Sequence, residues 1–123
     1  MSSSPIPVLD EGALQRLRDL DPSGSSRLLE RVLRAFETSG TRLGAQLSAA
    51  RETGDLQGVR HVAHTLKSSS ASIGALRLSR LCAEIEAAAR QETPAVEASL
   101  LDAMDRELHI VLQAVVPMRG PDA

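Results

Sequence analysis

Three side chains in the segment His61-Val-Ala-His64-Thr-Leu-Lys67 are of types that can do chemistry: two imidazoles three residues apart and an ammonium one turn further on. An ordinary imidazole titrates near pH ~6.5, so at neutral pH it is mostly uncharged and one ring nitrogen keeps a lone pair. That lone pair can attack phosphorus without prior activation, or it can ligate a metal ion. A flexible ammonium nearby can offset charge developing on a phosphoryl group. For phosphoryl transfer the surroundings must also be low, because in-line approach of a second molecule's acceptor fails against a bulky neighbour.

Which way His64 points decides between these uses. At about 100° per residue, with Leu66 as the centre of the buried face, Val59, Val62, Ser70 and Ile73 fall within about 40° of it, while His64 lies about 160° away. The spacing predicts an exposed imidazole in mid-helix, with Arg60, Lys67, Ser68 and Ala71 as its surface neighbours. Ser68 and Ala71 keep that surface low, and Arg60, His61, Ser68 and Ala71 form the expected docking rim.

A metal site is the weaker reading of the two histidines. His61 lies about 60° around the helix from His64, but no third ligand is apparent: Cys82 falls on an apolar stripe, His109 is distant in sequence, and structural zinc generally takes four ligands. His61 is expected on the docking rim and His109 on a helix surface without a special role. Cys82 is expected to act as a small buried hydrophobe.

The rest of the chain must position this helix. Asp10 is a candidate N-cap for a short helix through Leu20. After the Asp21-Pro22-Ser-Gly24 break, Leu29, Val32, Leu33, Phe36, Leu43 and Leu47 keep a helical period to about Thr53, weakened in the middle by Gly40 and Gly44, with room for a bend near Thr38 to Thr41. Gly54 stops that helix and Asp55 caps the one carrying His64, which ends at Gly74. A helix from Ala75 to about Gln91 buries Leu78, Leu81, Cys82, Ile85 and Ala89. Thr93-Pro94 is expected to open the last helix, running to about Val116. The fold expected is all-α, an antiparallel four-helix bundle with a short additional N-terminal helix. Residues 1–8 are expected to be a disordered N-terminal segment, 9–117 the domain and 118–123 a C-terminal tail, frayed from Arg119 to Ala123.

Composition narrows the function. The 123 residues fit one domain, rich in Ala, Leu and Val, with one Phe and no Trp or Tyr. A single cysteine cannot form an internal disulfide, which points to a reducing cytoplasm. No apolar run approaches the ~20 residues of a membrane span, and the start lacks the regions of a signal peptide. The net charge of −2 gives no reason to expect nucleic acid as a partner. Between Leu56 and Ala83, however, stand four basic residues (Arg60, Lys67, Arg77 and Arg80) and no acidic ones, leaving the remainder at −6. The segment around His64 suits an acidic or phosphate-bearing partner. Lys67 is the only lysine among fourteen cationic residues. The chain contains no Gly-rich phosphate loop and no acidic cluster spaced for magnesium, so transfer directly from ATP is not expected.

The run Ala63-His64-Thr-Leu-Lys67-Ser-Ser-Ser-Ala-Ser-Ile-Gly74-Ala75, followed by Leu78, Leu81, Cys82 and Glu86, resembles the histidine-containing phosphotransfer (HPt) domain of bacterial multistep phosphorelays. The resemblance implies that His64 is the phosphoacceptor and that Lys67 supports the phosphoryl group. The exposed helix face, with Arg60, His61, Ser68, Ala71 and Arg77, would dock the receiver domain of a response regulator or hybrid histidine kinase. It implies a monomeric carrier without its own cofactor, magnesium being held by the partner receiver. The family often has Gly where this chain has Ser68. Sensor-kinase dimerisation domains also carry an exposed histidine in a helical bundle, but they place an acid directly after it, where this chain has Thr65. A third reading is an interaction bundle without phosphotransfer, against which the joint presence of His64 and Lys67 argues.

Overall fold

The computed structural model describes residues 7–91 and 95–120. Five helices follow one another: α1 (Glu11–Asp19), α2 (Leu28–Thr53), α3 (Leu56–Ser72), α4 (Leu76–Ala89) and α5 (Ala98–Val115), with no strand among the described residues. α2 packs on α3 and α5, and α4 packs on α3 and α5, so the four long helices close a ring in chain order. The links between α2 and α3 and between α3 and α4 are only two or three residues long, which forces each pair to run antiparallel.

The local signals for these elements are the expected ones. The Asp10 carboxylate accepts from the Ala13 amide at 3.0 Å and caps α1, and Asp55 accepts from the Gly58 amide at 3.0 Å and caps α3. α2 has no side-chain cap of its own at Arg27, but the Asp21 carboxylate reaches forward to the Leu28 amide at 3.2 Å. α2 runs uninterrupted through Gly40 and Gly44, whose missing side chains have a packing reason: a Cβ at either would stand 3.2 Å from Leu112 or Leu108 of α5. The core contains Leu33, Leu43 and Leu47 of α2, Val62 and Leu66 of α3, Leu78 and Ile85 of α4, and Met104, Leu108 and Val111 of α5, each essentially inaccessible to water. Cys82 belongs to the same core, and burial, assisted by the nearby Glu86 charge and opposed by Lys67, pushes its thiol up to about 12.

α1 closes one end of the bundle through the turn between α3 and α4. The Asp10 amide donates to the Gly74 carbonyl at 2.8 Å. Gly74 has φ of 81°, and a Cβ there would lie 2.7 Å from the Asp10 nitrogen and 3.0 Å from the Ala13 Cβ. Only glycine suits both the backbone angle and the approach.

Two expectations about the end of the chain change. The last helix begins at Ala98 with Glu97 as N-cap, not at Pro94; residues 95–97 are non-helical, and the Thr93-Pro94 pair lies outside the described residues. Val96 still packs against the core, so the segment before α5 is held by side-chain burial without joining the helix. The segment after α5 is docked as far as Gly120: Arg119 Nε lies 2.6 Å from Glu37 Oε1, Arg34 donates to the Gly120 carbonyl at 3.2 Å, and Met118 packs on the core. At the other end, residues 1–6 lie outside the described residues, Val8 packs against the core and Leu9 is buried.

Candidate functional site

α3 presents one face inward through Val59, Val62, Ala63, Leu66 and Ser70, which leaves His64 outward with its side chain 62% exposed. His61, Ser68 and Ala71 share the exposed face, and Arg60 and Lys67 are half-buried beside it. Arg77 is also exposed but stands on α4, its Nε 3.6 Å from Glu107 Oε1, so it leans toward the seam with α5. The structure therefore gathers Arg60, His61, Lys67, Ser68 and Ala71 around His64 and sets Arg77 to one side.

Ser68, the one departure in the family-like run, is exposed in an uninterrupted helix, and its carbonyl accepts from the Ser72 hydroxyl at 3.0 Å. Ser79 of α4 donates its hydroxyl to the Lys67 carbonyl at 2.8 Å, tying the two helices at the level of the site.

The residue that organises the site chemically is Glu86 of α4. Its side chain is 3% exposed, yet it is ionic and multiply bonded. Oε2 lies 2.6 Å from His64 Nδ1 and 2.9 Å from Arg90 Nη2, and Oε1 lies 2.5 Å from Lys67 Nζ. The hydrogen bonds from Lys67 and from His64, assisted by Arg90 and opposed by burial, hold this carboxyl at about 2, well below the usual 4.5. A buried charge paired in this way is tolerated because every lone-pair direction in use meets a donor.

An ionised carboxylate only accepts, so the proton of a neutral His64 ring sits on Nδ1 and the lone pair is left on Nε2. The ring borders an open depression of about 340 Å³ lined by Gln57, Arg60, His61, His64, Glu86 and Arg90. The arrangement offers a nucleophilic nitrogen, set in a fixed orientation by a buried acid and surrounded by cations, which suits attack on an anionic phosphorus centre.

Sequence reasoning places Glu86 at the end of the family-like run but gives it no role. A signal is nonetheless present: Glu86 continues the buried spacing of Leu78 and Cys82 at intervals of four, and an acid on a buried stripe calls for cationic or donor partners. Among the described residues, no group of three His, Cys, Asp or Glu is placed to hold a metal ion, and no helix is long and apolar enough to cross a membrane.

A family model described as the Hpt domain matches residues 31–115. Among solved structures, the crystal structure of histidine-containing phosphotransfer protein B (HptB) from Pseudomonas aeruginosa PAO1 is similar, with 30% sequence identity, a TM-score of 0.75, and coverage of 94% of this chain and 96% of that one. No curated protein matches the chain. The match spans α3, α4 and the whole cluster around His64 and Glu86, and with the shared all-helical fold it makes this chain a member of the Hpt-domain family, a histidine phosphotransfer module.

Proposed function

We infer that the chain accepts a phosphoryl group on Nε2 of His64 from the aspartyl phosphate of one receiver domain and passes it to the aspartate of another, between a hybrid histidine kinase and a response regulator. One observation carries this reading: an imidazole in mid-helix, its side chain 62% exposed, whose Nδ1 is engaged by a buried carboxylate so that Nε2 is the nitrogen left for the transfer. The segment from Leu56 to Ala83 supplies cations and no acid, matching the acidic, magnesium-bearing site of a receiver. Magnesium and the acceptor carboxylate belong to that partner. This chain contributes the nucleophile, a landing surface and charge, and acts as a monomeric cytoplasmic phosphocarrier, not as an enzyme.

Lys67 supports the phosphoryl group. Its ammonium rests on Glu86 Oε1, and its side chain is 35% exposed, long and flexible, so rotation about its own bonds carries Nζ toward phosphoryl oxygens beside Nε2. Arg60, His61, Ser68 and Ala71 surround the ring as the contact surface for the receiver, with Arg77 at its margin.

The test is a phosphotransfer profile. Each receiver domain of the source organism is phosphorylated, mixed with this protein, and transfer is followed by label. Rapid uptake from a small subset of receivers, with return of the label to another, is the expected result. Absence of uptake from every receiver overturns the reading in favour of an interaction bundle.

A further inference from the structure

Six Arg and Lys side chains are half-buried among the described residues, and five of them have partners. Arg18 pairs with Glu11, Arg51 with Asp102, Lys67 with Glu86 and Arg119 with Glu37, and Arg34 donates to the Gly120 carbonyl. Arg60 is the sixth, and it makes no hydrogen bond or ion pair with any described residue. A charged group drawn partly out of water without a partner is costly. Arg60 stands on the wall of the depression of about 340 Å³ beside His64. Gln57 and His61 of α3 stand there too, both exposed and both without a hydrogen bond among the described residues. The one acid on that wall, Glu86, is already taken up by His64, Lys67 and Arg90. The depression therefore offers an uncommitted positive charge beside the ring and no uncommitted negative one.

Its place on α3 brings this charge within reach of a phosphorylated His64. Arg60 precedes His64 by four residues, which sets their Cβ atoms about 5–6 Å apart on one helix face. Helical side chains lean toward the N-terminus, so the His64 ring leans over the turn that carries Arg60. A guanidinium fork matches two oxygens of a phosphoryl group, and Arg60 has no ion pair to break before reaching them. Lys67 stands one turn later in α3 with its ammonium on Glu86, so the two cations flank the ring from opposite ends of the helix.

We propose that Arg60 is a phosphoryl-binding residue whose guanidinium holds two oxygens of the group on His64 over the depression and so keeps the carrier charged between its two receivers; this rests on the phosphotransfer reading of His64. On loading, the Nε2 lone pair becomes the N–P bond, the P–O bond to the receiver's aspartyl carboxyl breaks, and the electron pair leaves on the carboxylate oxygen. The three phosphoryl oxygens arrive with their negative charge and meet the guanidinium. Loss of the group to water runs through a loose transition state, in which those oxygens give up negative charge as the N–P bond opens. A cation bonded to them favours the intact bond over that transition state, so Arg60 slows the wasteful hydrolysis of phosphohistidine.

Two measurements on the isolated protein test it. The protein is charged with phosphoramidate, a small phosphoryl donor that needs no receiver, and phosphohistidine is followed by phosphorus-31 NMR. In Arg60→Gln it is expected to decay on the order of tenfold faster than in the wild type, with Arg60→Lys between the two because the charge stays and the fork is lost. The guanidinium N–H resonances of Arg60 in the wild type are expected to shift, and to exchange with water more slowly, once His64 is phosphorylated. Equal lifetimes in wild type and Arg60→Gln, or Arg60 resonances that do not move, overturn the proposal, and the wild-type resonances decide the point even if the variant folds poorly. A variant whose only defect is weaker binding to receivers makes Arg60 a docking residue and equally overturns it. Failure of wild-type His64 to take label from either phosphoramidate or receivers overturns the phosphotransfer reading itself, a different result from a labelled protein in which Arg60 is idle.

Discussion

His64 Nδ1 and Glu86 Oε2 stand 2.6 Å apart, joining an exposed ring on α3 to a buried carboxylate on α4 across 22 residues of chain. The two are complementary, since His64 turns an exposed ring to the outside and Glu86 engages that ring's Nδ1 from below.

His64→Gln is expected to abolish phosphoryl labelling while leaving helicity and stability nearly unchanged, because the replaced side chain is 62% exposed and Lys67 and Arg90 remain on Glu86. Surface substitutions of this kind change stability by about 0.5 kcal/mol or less. Labelling assays and thermal melts on the same preparation check both halves, and persistent labelling sinks the assignment.

Lys67→Ala separates charge support from folding. Transfer from a phosphorylated receiver is expected to slow on the order of a hundredfold, as when one donor to a developing anion is removed. Stability is expected to fall by only about 1 kcal/mol, since the ammonium is partly solvated and Glu86 keeps two other partners. Stopped-flow transfer kinetics set against urea denaturation distinguish the two effects, and unchanged kinetics remove Lys67 from the transfer.

The Glu86 carboxyl is held at about 2 by Lys67 and His64, against an ordinary 4.5. A depressed acid stabilises the fold above its unfolded value, and that contribution is lost as pH falls from about 4.5 toward about 2. Glu86→Gln has no such titration. The stability difference between wild type and variant, measured by urea denaturation at stepped pH, is expected to shrink across this window; a constant difference contradicts the ion network.

Gly74→Ala forces a Cβ to within 2.7 Å of the Asp10 nitrogen at a φ of 81°. A loss of roughly 2 kcal/mol or more is expected in chemical denaturation, since both the strain and the displaced α1 contact act in the same direction. A loss below about 0.5 kcal/mol, the range of ordinary surface changes, would show that α1 does not depend on this approach.

Ser70 carries a fully buried hydroxyl with no hydrogen-bond partner among the described residues. Ser70→Ala removes an unsatisfied polar atom at little cost in volume, so a gain of about 1 kcal/mol is expected. The melting temperature reports it directly.

Much of this arrangement is legible before the fold. The outward direction of His64, the inward stripe from Val59 to Ile73 and the caps Asp10 and Asp55 follow from local spacing and local hydrogen bonds, which a sequence displays openly. The role of Glu86 is not legible, because its partners sit on another helix and the register between α3 and α4 is set by packing. The same reason hides the pairing of Arg119 with Glu37 and the contact of Gly40 and Gly44 with α5, where glycine reads locally as weakness and in three dimensions as clearance. The start of α5 is misread from sequence because Thr93-Pro94 is a good local signal, whereas the helix begins only at Ala98.

Cys82 lies one helical turn before Glu86, inaccessible to water and with its thiol pushed up to about 12. Thiolate is the species that alkylating reagents and peroxides attack, so the folded protein gives them no target at neutral pH. The chain's one sulfhydryl becomes reactive only when the helices part. Its rate of modification by a maleimide is therefore a built-in clock for the opening of the bundle, readable without any introduced label.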